Sequence, residues 1–260
     1  VIRGDVRNEQ ILTSSLQNQD FIIHLAALVG APICNANKDD ALTTNFESTK
    51  LLLKLRNESQ KILFPCTNSG YGIGEKGKYC TEETPLRPIS FYGQTKVNSE
   101  KAIIDSKNSI SFRLATVFGV SSRMRLDLLV NDFVHKAIHE KFIGIFEGHF
   151  QRNYIHIQDV VRVFLHGIEN FDNMKNQSYN VGLSDANLSK LELCEKIKEH
   201  ISNFIFVESN LGKDPDKRDY IVSNEKIENS GFKPKFSLDF GIKELIKCYA
   251  ILQKQPFGNY

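Results

Sequence analysis

The chain has 260 residues, of which 41% are hydrophobic and 25% are charged, and its formal net charge at pH 7 is +2. This length allows one large domain or two small ones, and the nearly balanced charge excludes nucleic acid as a partner. The five cysteines are scattered and form no C-x-x-C pair. They indicate reduced thiols, as in a cytoplasmic protein, rather than a disulfide framework or structural zinc.

The apolar and histidine patterns exclude two further classes of protein. The longest apolar stretch, residues 21–34, contains His24 and is too short to span a bilayer, so no membrane partner is predicted. His24, His149 and His156 lack the spacing of metal ligands, so no metal is expected.

The first part of the chain alternates between predicted strands and helices. Short apolar runs predict strands near 21–25, 61–65 and 110–115, and predicted helices near 37–57 and 91–106 separate them. This alternation predicts an α/β fold with a right-handed parallel sheet.

The pattern changes after Gly119, where polar loops join the predicted elements. These elements are a strand near 142–146 and helices near 125–140, 158–170, 187–201 and 239–252. We therefore expect residues 1–119 to form a first domain and residues 120–260 to form mainly a second, smaller one, with some elements returning to the first sheet.

Tyr92 and Lys96 are a candidate proton-transfer pair. They lie in SFYGQTKVNSEKAI, residues 90–103, which reads as the start of a helix, where positions four apart share one face. A phenol with a pKa of about 10 is a poor base at neutral pH, but an adjacent ammonium lowers that pKa. Because Tyr-x-x-x-Lys is also common on helix surfaces, the interpretation depends on neighbouring motifs.

Thr67 supplies a hydroxyl group upstream of this pair. The apolar run KILFP, residues 61–65, predicts a buried strand, and small polar residues follow it as far as Gly72. Ligand sites of open α/β sheets lie at such carboxyl ends of strands. Thr67 therefore has the position and chemistry to orient a substrate hydroxyl against Tyr92.

The spacing of these residues resembles the extended short-chain dehydrogenase/reductases that act on nucleotide sugars, the NAD-dependent epimerase/dehydratase family. In that family a Ser or Thr lies four residues before a Tyr-Gly pair, and Tyr-x-x-x-Lys follows it by twenty-five residues, as Thr67 and Tyr92 do here. Further family-like segments follow in the expected order: GDVRN (4–8), FIIHLAAL (21–28), TTNFESTKLLL (43–53), SFRLATVFG (111–119) and RNYIHIQDVVRVF (152–164), where Asn153 replaces the usual Asp.

The resemblance implies a Rossmann-like NAD-binding domain, a C-terminal α/β domain for a nucleotide-sugar substrate, and a homodimer formed through the helices near 37–57 and 91–106. It implies Tyr92 as catalytic base, with Lys96 and Thr67 as its catalytic partners. The implied NAD-binding residues are Asp5, Val6, Leu25, Ala26, Ala27, Asn45, Tyr92, Lys96, Thr116 and Val117. The implied substrate-binding residues are Asn68, Ser69, Thr116, Arg123, Arg125, Asn131, Arg152 and Arg218, the last beside Lys217.

The glycine-rich loop that binds pyrophosphate in this family belongs to its first βαβ unit. Because GDVRN at 4–8 resembles the turn after the family's third strand, we expect this chain to lack that unit, to bind NAD weakly and to expose a sheet edge. Gly72-x-Gly74-x-x-Gly77 matches the dinucleotide fingerprint by letter. No helical pattern follows it, so we interpret these glycines as a loop.

Positions 68 and 69 narrow the predicted reaction. The 4,6-dehydratases of the family carry Asp and Glu directly after the Thr, whereas Asn68 and Ser69 cannot act as general acid or base. With dehydration disfavoured, the predicted reaction is oxidation of a sugar C4 hydroxyl. It is either 4-dehydrogenation, which releases a keto sugar, or 4-epimerisation, in which hydride returns to the other face.

Longer strings favour 4-dehydrogenation. LAALVGAP (25–32), TNSGYGIGEK (67–76), RLATVFG (113–119), RMRLDLLVNDF (123–133) and DPDKRDY (214–220) are similar to the branch of the family that oxidises GDP-activated heptoses at C4 in bacterial capsule biosynthesis. A 4-epimerase of the UDP-hexose type is the second prediction. A non-catalytic dinucleotide-binding sensor is the third, and the presence of Thr67, Tyr92 and Lys96 disfavours it.

Overall fold

The computed structural model describes residues 1–209 and 218–251. Its strands are β1 (Phe21–Ile23), β2 (Lys61–Thr67), β3 (Tyr79–Cys80), β4 (Ser109–Leu114), β5 (Thr116–Phe118), β6 (Phe142–Phe146), β7 (Gln151–His156), β8 (Gln177–Val181), β9 (Asn187–Ser189), β10 (Ile205–Ser209) and β11 (Ile221–Val222). Its helices are α1 (Glu9–Leu16), α2 (Ala31–Ala36), α3 (Lys38–Ala41), α4 (Ser48–Leu55), α5 (Phe91–Asp105), α6 (Leu129–His139), α7 (Ile157–Glu169), α8 (Phe171–Met174), α9 (Lys190–Lys198), α10 (Glu225–Asn229) and α11 (Leu238–Ile251). A π-helical segment, Leu42–Glu47, joins α3 to α4, and a 3₁₀ turn, Asn68–Tyr71, follows β2.

The first compact unit comprises Val1–Gly72, Thr84–Arg113 and Phe164–Asn180. Its four-stranded sheet has the order β1-β2-β4-β8, and β1 runs parallel to β2. Alternate residues of β2 point to one face and join a hydrophobic cluster with α1, α4 and α5. The buried members of this cluster are Leu12, Leu16, Ile22, Leu52, Ile62, Phe64, Cys66 and Ile103. The predicted α/β class is confirmed.

The second compact unit comprises Ile73–Glu83, Leu114–Val163 and Val181–Tyr260. Strand β7 pairs parallel with β5 and antiparallel with β9, whereas β6 with β10 and β3 with β11 form two-stranded parallel sheets. Helix α6 packs against α9 and α11. The two units do not follow the order of the chain, because residues 73–83 are grouped with the second unit and residues 164–180 with the first. The predicted domain boundary at residue 119 stays a prediction.

Three predicted helices differ from the observed ones. The predicted helix near 37–57 ends at Leu55 and contains the π-helical segment. The predicted helix near 125–140 begins only at Leu129, because Leu128 has an extended backbone. Residues 187–189 form β9, and Ser189 then starts α9 through a reciprocal capping box with Glu192. Within residues 1–209 and 218–251, no helix combines the length and apolarity needed to cross a membrane.

Candidate active site

Thr67 is the last residue of β2, and its extended backbone leads into the 3₁₀ turn. Its hydroxyl oxygen accepts a hydrogen bond from the Ser69 amide at 3.1 Å and lies 2.9 Å from the Ser69 hydroxyl oxygen. The side chain predicted to orient a substrate therefore also caps the turn that follows β2.

Tyr92 lies in the first turn of α5, which begins where the Ser90 hydroxyl accepts a hydrogen bond from the Gly93 amide at 3.1 Å. Lys96 follows one turn later in the same helix, as the sequence predicts. A β-carbon on Gly93 would lie 3.3 Å from the Ser69 carbonyl oxygen. The first turn of α5 therefore lies directly against the 3₁₀ turn, and glycine at position 93 permits this close approach.

Lys96 is buried, with 4% of its surface exposed, and its ammonium lies 4.0 Å from the centroid of the Phe64 ring. Burial lowers the pKa of Lys96 to about 8, although the neighbouring Cys66 and Glu100 oppose this effect. Among the described residues, the ammonium has no hydrogen-bond acceptor and no ion-pair partner. A buried cation in this condition is suited to a site that a ligand completes.

The Lys96 ammonium also affects the pKa of the buried His24. Burial and the Lys96 ammonium lower the pKa of His24 to about 4, so the imidazole is neutral at pH 7. Its Nε2 atom lies 3.4 Å from the Ser48 hydroxyl oxygen. The surroundings of Lys96 therefore contain no second positive charge from His24.

Asn45 connects the loop after β1 to α5. Its side-chain oxygen accepts a hydrogen bond from the Leu28 amide at 2.8 Å, and its Nδ2 donates to the Leu28 carbonyl at 3.0 Å and to the Thr95 hydroxyl at 3.2 Å. The Ser99 hydroxyl donates to the Asn45 carbonyl at 2.7 Å. Asn45 therefore holds this loop through both ends of its amide, and its direct contact with NAD stays a prediction.

The side-chain amide of Asn68, unlike that of Asn45, makes no hydrogen bond with the described residues. It is 1% exposed, and neither its Nδ2 nor its Oδ1 has a partner among the described residues. An unpaired buried amide costs roughly 1–3 kcal/mol and requires an explanation such as a ligand or water. The two predicted substrate residues therefore differ in their hydrogen bonding: the Asn68 amide has no partner among the described residues, whereas the Ser69 hydroxyl already contacts Thr67.

A buried polar network contacts Tyr71, the last residue of the 3₁₀ turn. The Tyr71 hydroxyl donates to Asn180 at 2.7 Å and accepts from Arg113 at 3.1 Å. Arg113 Nε contacts the two Glu100 carboxylate oxygens at 3.1 and 3.0 Å, and the Ser111 hydroxyl donates to Glu100 at 2.6 Å. This network ties the turn after Thr67 to α5.

Sequence reasoning missed this network, although one signal for it was present. Arg113 interrupts the otherwise apolar end of the strand SISFRL, residues 109–114. A charge inside a buried strand requires a partner, and Glu100, four residues after Lys96, is that partner.

Asp5 and Val6 lie at the start of the first unit. The Asp5 carboxylate accepts from Arg7 at 2.7 Å, and Arg7 also pairs with Asp40 at 2.8 Å. Hydrogen bonds from Arg7 lower the pKa of Asp5 to about 2. Asp5 is exposed, and its contact with a cofactor stays a prediction.

Leu25, Ala26 and Ala27 follow β1 at its carboxyl end. Leu25 is 66% exposed and the two alanines are half-buried. This loop therefore presents a small apolar surface near the residues that Asn45 holds.

The predicted substrate residues of the second unit differ in their exposure and in whether they already form hydrogen bonds or ion pairs within the protein. Thr116 and Val117 lie half-buried on β5, and Arg123 is exposed. Arg125 forms an ion pair with Asp127. Asn131 accepts from the Gly119 amide at 3.1 Å and donates to the Arg125 carbonyl at 2.9 Å, so both ends of its amide are used. Contact of these residues with substrate stays a prediction.

Arg152 is 3% exposed, donates to the Gln151 carbonyl at 2.9 Å and lies 5.8 Å from the Tyr220 ring centroid. Arg218 is half-buried, and Lys217 lies outside the described residues. Their contacts with substrate phosphates also stay predictions.

The replacement of the family's Asp by Asn153 has a local explanation. The Asn153 Nδ2 donates to the carbonyls of Leu183 at 2.7 Å and Ala186 at 3.1 Å. A carboxylate cannot donate these bonds. A β-carbon at Gly182 would overlap the Asn153 side-chain oxygen, so the close packing also requires glycine there.

The glycine-rich segment 72–77 is a loop, as interpreted from the sequence. Gly72 and Gly77 have positive φ values of 69° and 73°, and the segment leads to β3 instead of a helix. The Gly74 amide donates to the Asp219 carbonyl at 2.7 Å. In the described part of the chain, no cluster of three or more His, Cys, Asp or Glu side chains is arranged to hold a metal ion.

Comparison of the sequence with models of protein families shows which family the chain belongs to. Residues 1–182 match the model of the NAD dependent epimerase/dehydratase family. The chain belongs to this family. The predicted family is thus confirmed, and NAD is the cofactor of the family.

Two curated relatives show the range of chemistry within the family. An uncharacterized UDP-glucose epimerase of Bacillus subtilis is 32% identical over 160 residues, which cover 58% of this chain and 49% of the relative. A UDP-N-acetylglucosamine 4,6-dehydratase (inverting) of Campylobacter jejuni is 27% identical over 174 residues, covering 64% and 47% of the two chains. The chain spans about half the length of these relatives.

A solved structure shows the same fold. UDP-glucose 4-epimerase of Thermotoga maritima, solved with UDP-glucose, superposes with a TM-score of 0.83 at 23% identity and covers 96% of this chain and 84% of its own. At this identity the likeness supports the fold alone.

The residues of the first unit fit the family's cofactor. The Lys96 ammonium has no acceptor among the described residues, so it is available to hydroxyl groups of a bound dinucleotide. The exposed apolar loop at 25–27 lies at the carboxyl end of β1, where α/β sheets bind ligands. Lys96, Tyr92 and this loop are the residues that would hold NAD.

Proposed function

We propose that this protein catalyses the NAD-dependent oxidation of the C4 hydroxyl of a nucleotide-activated sugar, with a GDP-activated heptose as the preferred substrate. The observation that carries the proposal is the contact of the 3₁₀ turn after Thr67 with the first turn of α5, which holds Tyr92 and the buried Lys96. The family membership supports the same chemistry.

In the proposed mechanism, Tyr92 accepts the proton of the sugar hydroxyl. The charged Lys96, desolvated beside Phe64, favours the phenolate form of Tyr92, which is the form that accepts this proton. Thr67 orients the sugar oxygen by a hydrogen bond. NAD, when bound, supplies the hydride acceptor.

Dehydration is not proposed, although relatives with that activity exist. Loss of water needs a general acid and a general base beside the oxidised carbon. Asn68 and Ser69 follow Thr67 in this chain, and neither an amide nor an alcohol serves those roles near neutral pH.

The second candidate function is 4-epimerisation of a nucleotide sugar. Proteins described as UDP-glucose epimerase and UDP-glucuronate 4-epimerase are among the curated relatives, which favours this candidate. Both candidates begin with oxidation at C4 and need the same three residues. They differ in whether the keto sugar leaves or is reduced again.

The preference for a GDP-activated heptose rests on the five sequence segments between residues 25 and 220 that resemble the GDP-heptose-oxidising branch of the family. We also propose that the substrate phosphates bind at Arg123, Arg125, Arg152 and Arg218. A homodimer through the helical segments near 37–57 and 91–106 is proposed by resemblance to the family.

The test is to incubate the protein with a GDP-heptose and, separately, with UDP-hexoses over a wide range of NAD concentrations. Accumulation of NADH and a 4-keto sugar supports dehydrogenation, whereas C4 inversion without net NADH supports epimerisation. Tyr92→Phe should lower turnover by about 10²–10⁴-fold in either case. Unchanged turnover of this variant would remove Tyr92 from the mechanism, and no reaction at any NAD concentration would refute the proposal.

A further inference from the structure

The hydroxyl of Thr67 has one proton and two lone pairs for hydrogen bonding. The Ser69 amide uses one lone pair at 3.1 Å. The Ser69 hydroxyl oxygen lies at 2.9 Å, where either hydroxyl can be the donor. The direction of this one hydrogen bond decides what the Thr67 hydroxyl can offer to a substrate.

Two arrangements are open to the pair. If Thr67 donates to Ser69, the Thr67 proton is used within the turn and is not directed to a substrate oxygen. If Ser69 donates to Thr67, both Thr67 lone pairs are occupied, and the Thr67 proton is available to an external acceptor. The second arrangement makes Thr67 a donor only.

The proposed oxidation requires a donor at this position. The C4 hydroxyl gives its proton to Tyr92, so its oxygen is free to accept a hydrogen bond from Thr67. As the C4–H and O–H bonds break, this oxygen becomes a carbonyl oxygen, which can only accept. A donor aimed at the developing negative charge stabilises the transition state more than the ground state.

We propose that Ser69 is a positioning residue that donates its hydroxyl proton to Thr67 and thereby directs the Thr67 proton to the sugar oxygen. This inference rests on the proposed function and replaces the expected direct contact of Ser69 with substrate. The 2% exposure of Ser69 agrees with a role inside the turn.

The backbone of Ser69 is fixed on two sides. Its carbonyl oxygen accepts from the Gly72 amide at 3.3 Å and would lie 3.3 Å from a β-carbon at Gly93. Because Gly93 directly follows Tyr92, Ser69 is held by the same helical turn that carries the base. Ser69 therefore sets the direction of the Thr67 hydroxyl relative to Tyr92.

A double-mutant cycle tests the inference with the nucleotide sugar that the wild type oxidises. Ser69→Ala should lower kcat by about tenfold, the loss expected for one hydrogen bond, with little change in KM. In the Thr67→Val background, the same change should have no further effect on kcat, since Ser69 then has no hydroxyl to direct. The matched control is Ser109→Ala, which removes another buried hydroxyl that donates to the Ile103 carbonyl at 2.9 Å. The control should retain wild-type kcat.

Equal effects of Ser69→Ala in the two backgrounds, or an effect mainly on KM, would show that Ser69 contacts the substrate itself and would overturn the inference. A wild-type kcat in Ser69→Ala would also overturn it.

A second measurement does not depend on turnover and separates this inference from the proposed function. Three-bond NMR couplings between the Thr67 hydroxyl proton and the β-proton of the same residue report the rotamer of the O–H bond in the protein without substrate. We expect one rotamer in the wild type and in Ser109→Ala, and rotamer averaging in Ser69→Ala, because the alanine keeps only the amide contact. Identical couplings in all three proteins would refute the positioning role even if the protein proves inactive on every sugar.

Discussion

Lys96 and Arg113 are both buried cations of the first unit, with 4% and 7% of their surfaces exposed, but their surroundings differ. Arg113 contacts the Glu100 carboxylate at 3.0 Å and the Tyr71 hydroxyl at 3.1 Å. Although burial opposes its charge, Glu100 and Tyr71 raise the pKa of Arg113. Lys96 faces the Phe64 ring instead, and burial lowers its pKa to about 8.

The difference separates a charge that is paired within the fold from one that is proposed to take part in chemistry. Arg113 has partners within the protein and completes the network that holds the turn after Thr67. Lys96 lacks such a partner among the described residues, so its charge acts on what binds beside it. The two residues should therefore respond to mutation with opposite signs.

The largest expected effect is on stability at Arg113. Arg113→Met leaves the Glu100 carboxylate buried without its cation and should lower the free energy of unfolding by about 3–5 kcal/mol. Urea unfolding measures this change. The double variant Arg113→Met/Glu100→Leu should recover most of the loss, and a double variant as unstable as the single one would contradict the assignment of Glu100 as the unpaired charge.

Lys96→Met should have the opposite effect on stability and a strong effect on activity. Removing a buried ammonium whose pKa falls from 10.5 to about 8 should raise the free energy of unfolding at pH 7 by at most about 3 kcal/mol. The same change should lower kcat because the charge beside Tyr92 is lost. A variant that is less stable than the wild type would show that Lys96 has a stabilising partner.

The pH dependence of the free energy of unfolding also tests the Lys96 charge, and the expected change is smaller. Between pH 8 and 10.5 the unfolded chain keeps the Lys96 proton that the folded chain has lost. Stability attributable to Lys96 should therefore rise with pH by about 1 kcal/mol per pH unit in this window.

The measured quantity is the difference between wild type and Lys96→Met. Buried thiols act in the other direction above pH 9, because burial raises the pKa of Cys34 to about 11. The main cause of this effect is burial, which both proteins share, so most of it cancels; the Lys96 ammonium lowers the pKa of Cys34 to a smaller extent. A difference that is flat from pH 8 to 10.5 would contradict the lowered pKa of Lys96.

The smallest expected effect compares two buried amides. Asn68→Leu should raise the free energy of unfolding by about 1 kcal/mol, because neither amide atom has a partner among the described residues. Asn45→Leu should lower it, because the Leu28 amide and carbonyl lose their partner. Thermal unfolding of both variants gives the two signs, and a destabilised Asn68→Leu would indicate that water satisfies this amide.

The parts of the fold that sequence predicted are those with strong local signals. The apolar runs at 61–65 and 110–115 became β2 and β4, and the spacing of Tyr92 and Lys96 placed both in α5. In the second unit the apolar run at 142–146 became β6, but the other described strands lacked such signals. For example, Asn187–Ser189 is mostly polar and becomes a strand through pairing with Gln151–Asn153, a distant partner that no local pattern reveals.

The sequence indicated which residues belong to the candidate site but not how they are hydrogen-bonded. Spacing identified Thr67 and Lys96, because helix and strand geometry fix which residues share a surface. It did not show that Ser69 holds the Thr67 hydroxyl or that Arg113 pairs with Glu100, because these contacts depend on side-chain geometry and on folding of distant segments.

The hydrogen bond from Tyr71 to Asn180 has a consequence for biosynthesis. Asn180 lies on β8, which borders β4 in the sheet, and more than half of the chain precedes it. A ribosome synthesises Thr67, Tyr92 and Lys96 long before this residue, so the turn that orients Thr67 cannot reach its final form until residue 180 has emerged. An amino-terminal fragment would contain all three of these residues and still lack the anchor of that turn, whereas co-expression with a fragment carrying β8 provides a route to complementation.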